Sequence, residues 1–162
     1  MDEAFKDTDD LYNQLSVIAK DIASRYTSEV DEIIEYASDH VNDMNNDQVR
    51  ALLTDLSFKA YSIGEAREFS SLKRECSESI LKEVQAVSFN SSEGTIDVRK
   101  NTALLKSSNE SLTNIIYETV AGLLKVKLDE CHRIVDALKT VILTRNTESK
   151  LNMTINDTRE EM

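Results

Sequence analysis

The residues of this chain best suited to chemistry are basic ones strung along its C-terminal half. Arg99, Lys100 and Lys106 precede a second group, Lys125, Lys127, Arg133, Lys139 and Arg145, with Tyr117 between the two. Phosphate binding needs cations arrayed along a path, and single-strand binding adds aromatic faces on which bases stack. Residues 98–150 hold nine Lys/Arg against six Asp/Glu, whereas the first 57 residues hold four against fourteen, so the charge is strongly asymmetric. Such asymmetry lets one surface attract a polyanion while the rest of an acidic chain, net −11, repels it. Glu110, Glu118, Asp129, Glu130 and Asp136 interrupt the array. A solvated amphipathic helix, with Glu118 and Glu130 pairing to nearby bases, is therefore the competing account. Arg99, Lys100, Lys106, Lys125 and Lys127 are the candidate nucleic-acid contacts. Tyr117 is the candidate stacking residue, at a spacing that suits core packing equally well.

Other chemistry finds less support. Cys131 and His132 are the one Cys/His adjacency, but neighbours on a helix point about 100° apart and cannot face one metal or form a nucleophile–base pair. His40 is remote in sequence, and there is no Gly-x-Ser-x-Gly and no glycine-rich phosphate loop. Glu35, Asp39 and Asp43 share a helix face by their spacing of four, which suits either a divalent cation or plain solvation, without EF-hand spacing. No catalytic residue, metal site, cofactor or small-molecule substrate is expected. The chain reads as non-enzymatic.

The elements that must position these residues are helices. The 162 residues include no Pro, three Gly and no Trp, which leaves all-β and α/β folds without turn punctuation. The expected fold is all-α: long amphipathic helices in a helical hairpin or coiled-coil-like bundle, completed by oligomerisation because the core of Leu, Ile, Val and Ala is thin. An acidic helical segment occupies 1–46. Within it the stripe Leu11, Leu15, Ile18, Ala19 and Ile22 marks one helix, and Thr27 or Ser28 either caps a second or lies within a single continuous one. Asn42–Asp47 reads as a turn, and a long central helix spans 47–89 on the stripe Val49, Leu52, Leu53, Leu56, Ala60, Ile63, Leu72, Cys76, Ile80, Leu81, Val84 and Val87. Gly94 and Thr95 punctuate the next start, and a C-terminal helix spans 95–146, with a stumble at Ser107-Ser108-Asn109. Its core or oligomer residues are expected to be Leu105, Leu112, Ile116, Leu123, Ile134 and Leu138. The polar segment 147–162 reads as disordered or as a short terminal helix. Cys76 and Cys131 read as reduced thiols filling small core spaces. No apolar run approaches the length of a membrane span and the N-terminus lacks a signal-peptide pattern, so a cytoplasmic location is expected, that of the host for a viral protein.

Over this last helix the chain resembles the phage recombination-mediator (UvsY-like) family. The similar residues are Arg99-Lys100 with Ala103, Tyr117 with Ala121, Leu124-Lys125-Val126-Lys127-Leu128, Ile134, Leu138-Lys139 and Arg145, spanning about 50 of the 162 residues. The resemblance implies a ring-like homo-oligomer that holds single-stranded DNA on basic residues, loads a RecA-like recombinase and performs no catalysis. The alternative is a structural or adaptor protein without nucleic-acid binding: a virion assembly factor, or an inhibitor that mimics DNA with its acidic face.

Overall fold

The structure is a computed structural model that describes the backbone of residues 2–160 and the side chains of residues 9–152. The fold is all-α. Four helices, α1 (Asp2–His40), α2 (Asn46–Ser91), α3 (Ile96–Lys106) and α4 (Ser108–Glu160), account for the described residues apart from short turns, with no strand among them. Met1, Glu161 and Met162 lie outside the described residues, as do the side chains of the acidic start, including Asp7, and of the end of the segment 147–162.

Side-chain chemistry sets the breaks. Asn45 caps α2 reciprocally with Gln48: the Gln48 amide donates to Asn45 Oδ1 at 2.9 Å, and the Asn45 amide donates to Gln48 Oε1 at 2.8 Å. Gly94 takes φ 109°, a left-handed conformation that a Cβ strains, and Thr95 then accepts from the Val98 amide to open α3. Ser107 alone separates α3 from α4. Its φ/ψ of −100°/12° leaves the helical region, and its buried hydroxyl accepts from Gln85 Nε2 at 3.2 Å. The helices are also longer than the polar residues between them suggest. Thr27 does not cap a second helix; it is buried inside an unbroken α1. Residues 147–160 are not a disordered tail but the last turns of α4.

Burial follows steps of seven, the spacing that keeps side chains on one face of a slightly underwound helix. In α2 one series is Val49, Leu56, Ile63, Ser70, Ser77 and Val84, and a second is Ala60, Arg67, Arg74, Leu81 and Ser88, all buried or half-buried. In α4 the series is Glu110, Tyr117, Leu124, Cys131, Leu138 and Arg145. These series correct the sequence expectation. Leu72, Cys76, Ile80 and Val87 are exposed, because the buried face of α2 passes through serines instead. Leu124 and Val135 are buried where Leu123 and Ile134 were expected; the latter two are half-buried, as are Leu112 and Ile116, while Leu138 is buried. Leu105 is 76% exposed, since Ala103 and Ser107 carry the inward face of α3 and its end.

The chain forms two compact units, one of Met1–Tyr26 with Ile63–Val126 and another of Thr27–Ser62 with Lys127–Met162. The core of the first is small and partly polar: Ala19, Ala23, Ile63, Ala66, Ser70, Ser77, Ala103, Ser107, Val120 and Leu124. The second buries Val30, Ala37, Met44, Val49, Leu56, Ala60, Cys131, Val135 and Leu138, with Thr27 the one polar side chain buried among its described residues. Arg145 closes it, donating from Nη1 to Met44 O at 2.7 Å and from Nη2 to Val41 O at 2.8 Å. These are carbonyls of the turn between α1 and α2, and Val41 directly follows the C-terminal end of α1, where a cation complements the helix dipole.

Candidate nucleic-acid interface

The first unit presents the basic residues of α3 and the first half of α4 in two states. Arg99 is engaged: its guanidinium lies 4.2 Å from the centroid of the Phe89 ring, and Nε donates to Phe89 O at 2.9 Å. This pins α3 to the end of α2 and leaves Arg99 a structural role. Lys100, Lys106 and Lys125 are exposed and have no ion-pair partner among the described residues. Lys100 stands at a shallow apolar cavity lined by Ala86, Phe89, Ala103 and Leu104. Tyr117 is half-buried in a groove with Leu72, Cys76 and Ile80, and Lys73 Nζ sits 5.2 Å from its ring centroid. One face of Tyr117 is thus already occupied by a cation, which limits it as a stacking platform.

Lys125 has company that the sequence did not suggest. Arg67 and Arg74, one seven-residue step apart on α2, line a cavity of about 260 Å³ with Lys125 and Glu118 of α4. Small residues, Ser71, Ala121 and Gly122, complete its wall, and a Cβ built on Gly122 would meet nothing within 4 Å. The signal for Arg67 and Arg74 was present in the sequence: they occupy consecutive places in a series of seven that is otherwise Ala60, Leu81 and Ser88. A charged residue in a buried repeat needs a partner or a role. Arg67 has the adjacent Glu68 at 3.3 Å. Nε of Arg74 is shut off from solvent with no hydrogen-bond partner among the described residues.

Lys127 differs from its neighbour Lys125. It belongs to the second unit, where its ammonium bridges Asp31 and Glu130. Burial works against its charge, but the hydrogen bonds to the two carboxylates outweigh that and lift its pKa above the ordinary 10.5. Its charge is already committed to two carboxylates, unlike that of Lys125. Other described cations of this unit are similarly engaged: Lys59 with Glu29, Arg50 with Asp47, Lys139 with Asp136, and Arg133 and Arg145 with backbone carbonyls. The Lys59 hydrogen bond holds the Glu29 carboxyl below its ordinary value, and Glu29 in turn raises Lys59.

Cys131 is fully buried beside Lys127, and burial pushes its thiol pKa up, the opposite of an activated nucleophile. His132 is exposed. Cys76 is exposed too, so only Cys131 fills core space as expected. Glu35, Asp39 and Asp43 are exposed, and no group of three His, Cys, Asp or Glu able to hold a metal occurs among the described residues. No described helix is long and apolar enough to cross a membrane. No family model, curated protein or solved structure matches the chain.

Proposed function

We propose that this chain is a non-enzymatic, single-stranded-DNA-binding mediator that works as a homo-oligomer and presents DNA to a RecA-like recombinase. One observation carries the reading. Cations of the second unit are consumed by carboxylates and carbonyls, whereas Lys100, Lys106, Lys125 and Arg74 of the first have no ion-pair partner among the described residues. Unpaired cations that neutralise backbone phosphates release the nucleic acid's condensed counterions to solvent, the sequence-independent source of nucleic-acid affinity. The resemblance at Arg99-Lys100 and Leu124–Leu128 supplies the recombinase partner and the mediator role. Leu11, Ile18, Phe69, Leu72, Ile80 and Val87 stand exposed in the first unit, more large apolar surface than an isolated helical unit keeps in water, and further copies of the chain would cover it. Repetition would also bring several basic faces to one strand, where weak contacts multiply.

Fluorescence anisotropy with a labelled single-stranded oligonucleotide, between low and moderate salt, tests the reading. Affinity is expected to fall steeply with salt and to be lost in a variant carrying Lys100→Gln, Lys106→Gln and Lys125→Gln together. Binding absent at low salt, or indifferent to salt and to the triple substitution, overturns it. An oligomer indifferent to DNA would favour the adaptor alternative, in which the exposed acidic face of Glu35, Asp39 and Asp43 meets a basic protein.

A further inference from the structure

We infer that the cavity bounded by Arg67, Arg74 and Lys125 is a seat for one phosphate group of the DNA backbone, a proposal that rests on the mediator reading above. Three cations and one carboxylate, Glu118, line the space, so it carries a formal excess of two positive charges. Glu118 makes no ion pair with any of them among the described residues, although they share a wall. Arg67 is paired with the adjacent Glu68, whereas Arg74 and Lys125 have no ion-pair partner among the described residues.

Geometry then selects the ligand. The cavity, about 260 Å³, exceeds the volume of a water molecule severalfold and admits a phosphate with part of its sugar. Gly122 and Ala121 keep one wall low, and Gly122 borders open space where another residue would project a side chain. Arg74 Nε is out of contact with solvent and unbonded, a donor that an oxyanion would satisfy. Guanidinium groups present planar forks of N–H donors that match tetrahedral oxyanions, and Ser71 adds a hydroxyl donor at the same wall. An apolar group would leave those donors unmet, and a neutral base edge would meet them without offsetting the positive charge. Glu118 acts here as a placeholder that limits repulsion among the cations while the seat is empty, and it opposes the incoming anion. This gives the proposal two handles of opposite sign.

The test follows the Arg74 Nε–H signal by ¹H–¹⁵N NMR, identified by its loss in Arg74→Lys, while an oligothymidylate or inorganic phosphate is titrated into the full chain. Anisotropy on the same samples reports overall affinity. The expected result is a shift of the Arg74 signal with oligonucleotide and roughly tenfold weaker binding in Arg74→Gln, the effect of one charge-assisted hydrogen bond. The slope of log affinity against log salt should drop by about 0.7, one phosphate contact on a single strand. Glu118→Gln should tighten binding severalfold, and it reads the same site should Arg74→Gln fail to fold. Lys139→Gln, in the second unit, should change neither. Oligonucleotide binding with an unmoved Arg74 signal and unaltered affinity in Arg74→Gln and Glu118→Gln overturns the cavity while leaving the mediator reading intact. A response to inorganic phosphate but not to oligonucleotide overturns the DNA source and leaves a small-anion site. No oligonucleotide binding at all overturns both.

Discussion

Both units draw on α1, α2 and α4, with α3 added in the first, yet they solve the packing problem differently. The second unit buries a continuous apolar series, Val49, Leu56 and Ala60 on α2 with Cys131, Val135 and Leu138 on α4, and ties off the end of α1 with Arg145. In the first unit the same register of α2 runs into Arg67, Ser70, Arg74 and Ser77. Ser70 returns its hydroxyl to Ala66 O at 2.9 Å and Ser77 gives its own to Glu110 O at 3.1 Å, so the series is satisfied locally but contributes little apolar burial. Among the described residues, three of the four buried side-chain atoms without a partner, Arg74 Nε, Glu110 Oε2 and Asn114 Oδ1, belong to this unit; the fourth is Asn46 Oδ1. The first unit thus keeps more unpartnered polar atoms and more exposed large apolar side chains among its described residues than the second does.

The contrast can be broken most decisively at the buried series. Leu56→Ala should cost about 3 kcal/mol, the range for deleting a fully buried leucine. Ser77→Ala, at an equivalent place three steps along, should cost about 1 kcal/mol or less, one hydrogen bond between partly buried groups. Urea denaturation followed by far-UV circular dichroism measures both; equal costs would erase the difference between the units. Next in size is Arg145→Ala, at about 2 kcal/mol, because two carbonyls lose a charge-assisted donor. Faster amide exchange at Asp43 and Met44 should accompany it, and Arg145→Lys should restore little of the loss, lacking the forked geometry.

Smaller effects sharpen the contrast. Cys76 is exposed and Cys131 buried, so a thiol reagent should modify Cys76 at the rate of a free thiol and Cys131 roughly 100-fold more slowly, at the pace of local opening. Mass spectrometry of peptides from a labelling time course separates the two. The smallest effect is alkaline. Lys127 has a folded pKa above 10.5 and Cys131 one above 9.0. A raised folded value means that the stabilisation is complete below the unfolded value and is lost as pH climbs through the folded one. The second unit should therefore begin to weaken as pH passes 9, first through Cys131 and then through Lys127. Cys131→Ser should remove the earlier phase, and Lys127→Met should lower stability at pH 7 by about 1 kcal/mol, as expected for a partly exposed ion pair.

Much of this architecture was legible in the sequence. The lack of Pro and the scarcity of Gly give an all-α chain, and the polar runs at 42–47 and 89–95 overlap the turns that end α1 and α2. What escaped was the choice of face. Apolar residues come in adjacent pairs here, Leu104-Leu105, Leu123-Leu124 and Ile134-Val135, and the members of a pair point about 100° apart on a helix. Periodicity near 3.5 accepts either member, and only packing against the neighbouring helix selects Leu124 and Val135. The serine series escaped for a related reason: Ser70 and Ser77 carry no hydropathy signal, so the stripe appeared to move to Leu72 and Ile80. Basic residues were legible as a group and not individually. Lys125 and Lys127 are two positions apart, and nothing local announces that Asp31, 96 residues away, claims the second of them.

The most direct test of the central claim, that the first unit is the working surface and the second its stable support, is hydrogen exchange read by mass spectrometry with and without single-stranded oligonucleotide. The free chain should exchange faster over 63–91 and 96–126 than over 46–62 and 127–142, and the oligonucleotide should add protection over 67–74 and 117–125 while leaving the second unit unchanged. Protection gained over 27–62 or 127–150 instead, or no change anywhere at saturating oligonucleotide, would contradict the account.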